Sequence, residues 1–176
     1  MKILAICGSP REGNTESILR RILDGVEFTG AIGKLILLRE KKIGFCDGCD
    51  GCKENWECHI QDDMREICKE MEEAEVIIIG SPSYWSNVSG LLKNFMDRTN
   101  PYYFSKKIKG KKVVLVSVGG ISAIKAMEAM NVFATLQGMD VKRSISMKAE
   151  GPEEIGKDKK FMNECFELGK EIGSNF

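Results

Sequence analysis

The sequence has no excess of charge of either sign, no long apolar run and only one histidine. Lys and Arg number 26, as do Asp and Glu, so the formal net charge is zero at pH 7. That balance argues against a general nucleic-acid binder and against a polybasic protein of the membrane surface. No apolar run approaches the ~20 residues of a membrane span, and the N-terminus lacks the features of a secretion signal. A soluble, cytoplasmic protein without nucleic-acid or membrane partners is expected.

Groups for acid–base or nucleophilic catalysis are equally scarce. No Ser-His-Asp set is possible beyond the single His59, and no Asp/Glu pair stands out as acid and base. Cysteine, by contrast, is plentiful, with seven among 176 residues. In a cytoplasmic chain this usage favours metal or redox chemistry over disulfide bonds.

Five short apolar runs, at 2–7, 35–38, 76–79, 112–118 and 141–147, alternate with segments of helical periodicity. Strands that read as continuous apolar runs are typical of a parallel sheet covered on both faces. Five such units in 176 residues favour a flavodoxin-like α/β fold over a six-stranded dinucleotide domain. We expect a three-layer sandwich with a five-stranded parallel sheet, order 2-1-3-4-5, and helices on both faces.

The chain is expected to form a single domain over residues 1–176, with a cysteine-rich insertion at about 40–60. One helix is predicted to begin directly after this insertion. Asp63 and Glu66 there have the spacing of a capping box. In such a fold, ligands lie at the carboxyl ends of the strands, so the loops at 8–15, 40–60, 81–88 and 119–122 are the candidate binding segments.

The loop after the first strand, Gly-Ser-Pro-Arg-Glu-Gly-Asn-Thr at 8–15, is rich in groups that bind phosphate. Hydroxyl, amide and guanidinium groups at a helix N-terminus suit a terminal phosphate. A P-loop would require Lys where Asn14 stands, and a Gly-x-Gly-x-x-Gly fingerprint is absent. The alternative is a polar turn that only caps the helix. The candidate phosphate contacts are Ser9, Arg11, Asn14 and Thr15.

The loop after the third strand places two aromatic residues, Tyr84 and Trp85, among small polar residues. Ring surface with hydroxyl and backbone groups nearby suits a planar heteroaromatic ligand. The alternative is that these aromatics belong to the core or to a dimer interface. After the fourth strand, paired glycines would let the backbone approach the ligand's other edge, or form a plain turn. The candidate contacts are Pro82, Ser83, Tyr84, Trp85, Ser117, Gly119 and Gly120.

Four of the seven cysteines form one compact run with the spacing C-x2-C-x2-C-x5-C. Asp-Gly separates each of the first three, and glycine tolerates positive φ, so the chain can curl tightly and direct three sulfurs at one point. A 4Fe–4S cluster needs four thiolates from such a wrap. Zinc, free thiols or a disulfide are the alternatives. The candidate metal ligands are Cys46, Cys49, Cys52 and Cys58.

The other cysteines, Cys7, Cys68 and Cys165, fall on a buried strand or on apolar helix faces. Free buried cysteine behaves as a small hydrophobic residue, so we expect all three in the core. His59 follows the last cysteine of the run and is expected to be a solvated loop residue.

A phosphate site and a planar-ring site on one flavodoxin-like sheet describe a mononucleotide such as FMN. The segments 8–15, Gly-Ser-Pro-Ser-Tyr-Trp at 80–85 and Lys-Asn-Phe-Met-Asp-Arg at 93–98 resemble the NADPH-dependent FMN reductase family. The cysteine run followed by Asp-Asp-Met at 62–64 resembles its iron–sulfur flavoprotein branch. The resemblance covers roughly residues 1–130. It implies that the first loop holds the FMN phosphate, that the 81–87 loop holds the isoalloxazine, and that the protein is a homodimer or homotetramer.

The leading hypothesis is an FMN-dependent oxidoreductase that passes electrons between FMN and a 4Fe–4S cluster. The scarcity of acid–base groups fits flavin chemistry, because the cofactor itself accepts hydride or electrons. One alternative is a cluster-free NAD(P)H-dependent FMN or quinone reductase. Another is a flavodoxin-type carrier or a thiol redox sensor. A nicotinamide nucleotide or ferredoxin is the expected donor, and a small molecule or a protein the expected acceptor.

Overall fold

The architecture comes from a computed structural model that describes residues 1–176. Five parallel strands form the central sheet, and a short sixth strand pairs antiparallel with the third. The strands are β1 (Lys2–Cys7), β2 (Ile32–Leu37), β3 (Val76–Tyr84), β4 (Asn87–Val88), β5 (Lys112–Gly119) and β6 (Asp140–Lys148). The order β2-β1-β3-β5-β6 confirms the expected flavodoxin-like topology of the parallel strands.

The chain forms seven α-helices. They are α1 (Asn14–Phe28), α2 (Cys52–Asn55), α3 (Met64–Glu73), α4 (Gly90–Arg98), α5 (Asn100–Ser105), α6 (Ala123–Leu136) and α7 (Lys159–Asn175). All except the short α2, which has no buried residue, contribute buried residues to the layers beside the sheet. Two separate apolar clusters result, one beneath α1 and α7 and the other beneath α3, α4 and α6. None of the helices has the length and apolar character needed to cross a membrane.

Strand β3 is longer than the apolar run that predicted it. It continues beyond Ile79, and Pro82 pairs with Val118 of β5. Proline is tolerated there because β1 ends opposite Gly80 and leaves that side of β3 without a parallel neighbour. The unpredicted strand β4 follows because the two residues between β3 and β4 both have positive φ, as a two-residue hairpin requires.

Helices α1 and α7 pack closely because glycine lies on both sides of the contact. A Cβ on Gly169 would lie 2.0 Å from the Ile22 carbonyl oxygen, and a Cβ on Gly25 would lie 2.0 Å from that of Phe166. The two backbones therefore touch directly. This contact holds α1, and with it the loop that precedes α1, against the sheet.

Candidate functional site

A cavity of about 200 Å³ lies at the carboxyl ends of β1, β3, β5 and β6. Doubly wound sheets bind ligands at this edge, where the strand order reverses. We call it the strand-end cavity. It brings together nine residues predicted from sequence: Ser9, Arg11, Asn14, Thr15, Pro82, Ser83, Tyr84, Gly119 and Gly120.

The loop before α1 is ordered by its own hydrogen bonds. The Ser9 hydroxyl donates to the Arg11 carbonyl at 2.7 Å and accepts from the Arg11 amide at 3.3 Å. The amide of Gly8 donates to the carbonyl of Gly80 at 2.8 Å, which ties the loop to β3. The Arg11 side chain is exposed and forms no ion pair, so its guanidinium is free to meet an anion at the cavity.

An acidic residue in the first turn of α1 would repel an anion, but Glu16 is neutralised by two arginines. Its carboxylate lies 2.7 Å from Arg20 and 2.6 Å from Arg39, and its side chain is 6% exposed. Burial favours a raised pKa, but the two guanidinium groups outweigh it and lower the pKa of Glu16. The helix N-terminus therefore remains suited to an anion.

Asn14 has a different contact from the one predicted. Its amide nitrogen donates to the Gly151 carbonyl at 2.6 Å, and its amide oxygen accepts from the Ile155 backbone at 3.0 Å. The Asn14 backbone amide also donates to the Pro152 carbonyl at 3.1 Å. A Cβ on Gly13 would lie 2.8 Å from that same oxygen. Asn14 thus uses its side chain to hold the segment after β6 against the cavity.

That segment was missed in the sequence. Four of its residues line the strand-end cavity: Ala149, Glu150, Gly151 and Pro152. They follow the edge strand β6, whose alternating pattern predicts the strand but gives no signal for the segment beyond it. The available signal was position, because the carboxyl end of a fifth parallel strand meets the same edge as the other four.

Two predicted contacts do not line the cavity. Ser117 is fully buried within β5, and its hydroxyl donates to the Ala123 carbonyl at 2.6 Å. Trp85 is fully exposed at the tip of the β3–β4 turn. Since side chains alternate along a strand, Ser117 and Gly119 lie on the same face, but the chain from Ser122 onward covers Ser117. The alternation alone does not reveal that cover.

The cysteine loop, residues 41–62, forms a second candidate site. All four predicted ligands, Cys46, Cys49, Cys52 and Cys58, line one small cavity, which also includes His59, Arg98 and Pro101. Burial raises the pKa of Cys52, and the three other thiols, close by, raise it further. The four thiols therefore border the same small cavity.

The turns of the loop differ in part from the prediction. Gly48 has φ 71°, as expected for a tight curl. Gly51 has φ −57° because it precedes α2, and Asp50 adopts the positive φ of 59° in its place. The Asp47 carboxylate accepts from the Cys49 amide at 3.1 Å and lies 2.8 Å from His59, an exposed residue as predicted.

The loop ends are fastened by carboxylates. Asp62 accepts from the Gly44 amide at 2.8 Å and from the Met64 amide at 3.0 Å. Asp63 accepts from the Lys42 amide at 2.7 Å, and its side chain makes no cap bond to α3. The predicted capping box is therefore wrong. Asp63 is the N-cap residue but its carboxylate is used across the loop, and the carboxylate of Asp62, one residue earlier, accepts from the first amide of α3 instead.

The three remaining cysteines lie outside the run of four thiols in the sequence. Cys7 and Cys165 are buried, and burial raises the pKa of each to about 11. Cys68 is only partly buried, although its pKa is also raised to about 11. It borders a larger cavity of about 260 Å³, which Arg98 and Cys58 also line.

The fold and the two cavities define a flavodoxin-like protein with a cysteine-bearing insertion. A family model for NADPH-dependent FMN reductase matches residues 1–152, so the chain belongs to that family. The resemblance drawn from the three sequence segments is confirmed.

Among curated proteins, the chain is similar to an iron–sulfur flavoprotein of Methanocaldococcus jannaschii, with 42% identity over 120 residues. The match covers 68% of this chain and 62% of that protein. The chain spans about half to three fifths of the length of the curated relatives it matches.

Two solved structures illustrate the shared fold. A flavone reductase superposes with a TM-score of 0.76 at 20% identity, covering 98% of this chain and 62% of that one. A flavodoxin from the domain Archaea superposes with a TM-score of 0.66 at 21% identity, covering 98% and 96%. At these identities the likeness concerns the fold alone.

Proposed function

We propose that the protein is an FMN-dependent oxidoreductase in which the strand-end cavity holds FMN and the cysteine loop holds a 4Fe–4S cluster. The observation that carries the proposal is the presence, on one chain, of a strand-end cavity with a phosphate-type loop and a separate cavity bordered by four thiols. Residues 1–176 would act together as one flavin-binding domain.

In the strand-end cavity, each group has a distinct task. Arg11 and the N-terminus of α1 would bind the phosphate, with the hydroxyls of Ser9 and Thr15 beside them. Tyr84, which is 41% exposed, would offer its ring to the isoalloxazine. FMN, when bound, supplies the hydride and electron chemistry. The residues around it position the ligand and supply charge.

Gly119 shapes the other side of the cavity. A Cβ there would lie 2.7 Å from the side chain of Ser83, whose hydroxyl donates to the Ser122 carbonyl at 2.8 Å. The β5 end and the ring-binding segment are therefore in direct contact. We propose that a larger residue at 119 would displace Ser83 and narrow the space for the ring.

The donor set of the cysteine loop fits an iron–sulfur cluster. Four thiols border one cavity, and the positive φ of Gly48 lets the chain turn between two of them. Thiolates are the ligands that such clusters use, and a bound cluster exchanges single electrons. Cys46 and Cys49 are exposed, so the loop is accessible for loading.

The proposal extends to partners by chemistry. A nicotinamide nucleotide or a reduced ferredoxin would supply electrons, and a small molecule or a protein would accept them. The name of the family model points to NADPH as one donor to test first. A homodimer or homotetramer is the proposed assembly.

The test is an anaerobic ultraviolet–visible spectrum with flavin, iron and sulfide quantified per chain. About four irons, four sulfides and one FMN support the proposal. Cys49→Ser should lose the iron and keep the FMN, whereas Cys68→Ser, outside the run, should keep both. Flavin without iron after anaerobic reconstitution would overturn the cluster assignment.

The flavin site has its own matched pair of variants. Arg11→Ala should weaken FMN binding about 10- to 100-fold, the value of a charge-assisted hydrogen bond. Arg65→Ala removes another exposed arginine without an ion pair and should leave the affinity unchanged. Equal affinities in the two variants, measured by flavin fluorescence, would contradict the phosphate assignment.

A second candidate function is the cluster-free NAD(P)H-dependent reductase. It is favoured by one observation, namely that protein groups alone already fasten the cysteine loop, through Asp62 and Asp63. A loop fastened in this way would keep its closed form without metal. Rapid NAD(P)H oxidation with an added quinone by iron-free protein would support this function.

A further inference from the structure

Arg98 is a buried, charged residue that belongs neither to the sheet nor to the lining of the strand-end cavity. It is the last residue of α4, and its side chain is 1% exposed. Arginine is almost never fully buried unless it is paired. The groups that pair with the Arg98 guanidinium therefore indicate its role.

The guanidinium contacts both ends of the cysteine loop. One nitrogen, Nη1, donates to the Gly44 carbonyl at 2.7 Å and to Asp62 Oδ2 at 2.6 Å. The other, Nη2, donates to Asp62 Oδ1 at 3.2 Å and to the Ile60 carbonyl at 3.5 Å. One turn earlier on α4, Asn94 donates to the Ile43 carbonyl at 2.9 Å.

The third nitrogen, Nε, is buried and has no partner. A buried N–H without an acceptor costs free energy, so a bound group that accepted a hydrogen bond from Nε–H would stabilise this arrangement. Arg98 borders the cavity of the four cysteines. Burial lowers the pKa of Arg98, but hydrogen bonding to Asp62 and the nearby Cys58 thiol outweigh this and raise it. Cys58 and Arg98 both line two neighbouring cavities, the small one of the four cysteines and the larger one beside it.

We propose that Arg98 is a positioning residue that raises the reduction potential of the cluster held by the four cysteines, through its fixed positive charge and its free Nε–H. This inference rests on the proposed function. Four thiolates give an oxidised 4Fe–4S site a net negative charge, and uptake of one electron makes it more negative. A fixed cation beside it favours the reduced form, and hydrogen bonds to sulfur act in the same direction.

Asp62 has the opposite effect in this arrangement. Its carboxylate lies next to the same guanidinium and offsets part of the positive charge. If Arg98 acts through charge, removing the charge of Asp62 must shift the potential upward while removing that of Arg98 shifts it downward. If Arg98 only held the loop closed, the two substitutions would not shift the reduction potential in opposite directions.

The experiment is a one-electron potentiometric titration of the iron-loaded protein with dithionite, followed by electron paramagnetic resonance. In Arg98→Met we expect the ratio of reduced to oxidised protein at a fixed potential to fall about tenfold, which is about 59 mV for a one-electron couple. Arg98→Lys keeps the charge and should lie between this variant and wild type. Asp62→Asn should shift the ratio in the opposite direction.

The matched control is Lys142→Met, which removes an exposed positive charge from the edge strand β6, where Lys142 pairs with Asp140. Its potential should equal that of wild type. Unchanged potential in iron-loaded Arg98→Met, or shifts of the same sign in Arg98→Met and Asp62→Asn, would overturn the role of Arg98. If Arg98→Met binds no iron, Arg98→Lys and Asp62→Asn provide the test: the potential should fall in the first variant and rise in the second.

The two proposals fail in different ways. Wild-type protein that binds no iron overturns the cluster and, with it, the role of Arg98. Wild-type protein with a full cluster whose potential ignores these charges overturns the role of Arg98 alone.

Discussion

The strand-end cavity and the cysteine loop are built in opposite ways. The cavity lies at the ends of β1, β3 and β5, and most residues of these three strands are buried. The cysteine loop has no buried residue between positions 41 and 62 and only one regular element, the four-residue α2. The first site is supported by the core, and the second by a few polar contacts.

This difference predicts that the two sites have separate stabilities. Segments with few buried apolar contacts open locally at much lower free energy than the core does. The cysteine loop should therefore open without disturbing the strand-end cavity. Loss of the core should disable both sites together.

The largest effect is expected from Asp62→Ala. This variant leaves the buried Arg98 guanidinium without its carboxylate, which costs about 3 kcal/mol or more in the closed loop. We expect rapid proteolysis within residues 41–62 and unchanged FMN content. Asp24→Ala, which removes an exposed ion pair with Arg21, is the control and should resist protease like wild type. Loss of FMN in Asp62→Ala would show that the two sites are coupled.

The next largest effect is expected from Gly169→Ala, which changes the contact between α7 and α1. The added methyl would clash with the backbone of α1, and we expect a loss of about 2–3 kcal/mol in the free energy of unfolding. Chemical denaturation should show both sites lost in one transition. Gly156→Ala, whose Cβ would meet nothing within 4 Å, should be close to neutral. Selective loss of the cysteine loop would contradict the comparison.

Ser89→Ala should have an intermediate effect on both regions. The buried Ser89 hydroxyl accepts from the Leu92 amide at 3.1 Å as the cap of α4, and it donates to the Gly8 carbonyl. Ser89 therefore connects α4, the helix that anchors the cysteine loop, with the loop that precedes α1. We expect a cost of about 1–2 kcal/mol in denaturation, against no change for the exposed Ser174→Ala.

The smallest effect is expected from acid. Burial favours a raised pKa for Asp62, but Arg98 and the backbone amides outweigh it and hold the pKa below the ordinary value of 3.8. Stability from this group is therefore present above pH 3.8 and is lost as the pH falls below that value. Pepsin cleavage of the cysteine loop should increase across that window. In Asp62→Asn, cleavage of the loop should depend less on pH. An equally steep pH dependence in this variant would show that other groups cause it.

Much of the sheet could be predicted because apolar runs report burial on both faces. The β1 and α1 residues followed their periodicities, and the order of the parallel strands came with the fold class. The strand β4 could not be predicted, because its turn uses Trp85 and Ser86 at positive φ, where glycine or asparagine is the usual signal.

The candidate sites were predictable to different depths. Loops at strand ends carry local motifs, so Ser9, Arg11 and Tyr84 were found from the residues around them. The contacts of Asn14 with Gly151 and Ile155 join positions 137 and 141 residues apart, and no local pattern reports them. Arg98 was likewise predicted only as part of the motif at 93–98, and the motif does not report its hydrogen bonds to Gly44 and Asp62.

By itself, the sequence determined the parallel sheet, the strand-end position of the candidate flavin site and the spacing of the four candidate thiol ligands. These properties follow from local periodicity and spacing. Only the tertiary structure decided that Asn14 holds the segment after β6, that Ser117 is covered, and that Arg98 lies between two ends of the cysteine loop. Each of these depends on contacts between distant segments, and such contacts form only when packing of the core brings those segments together.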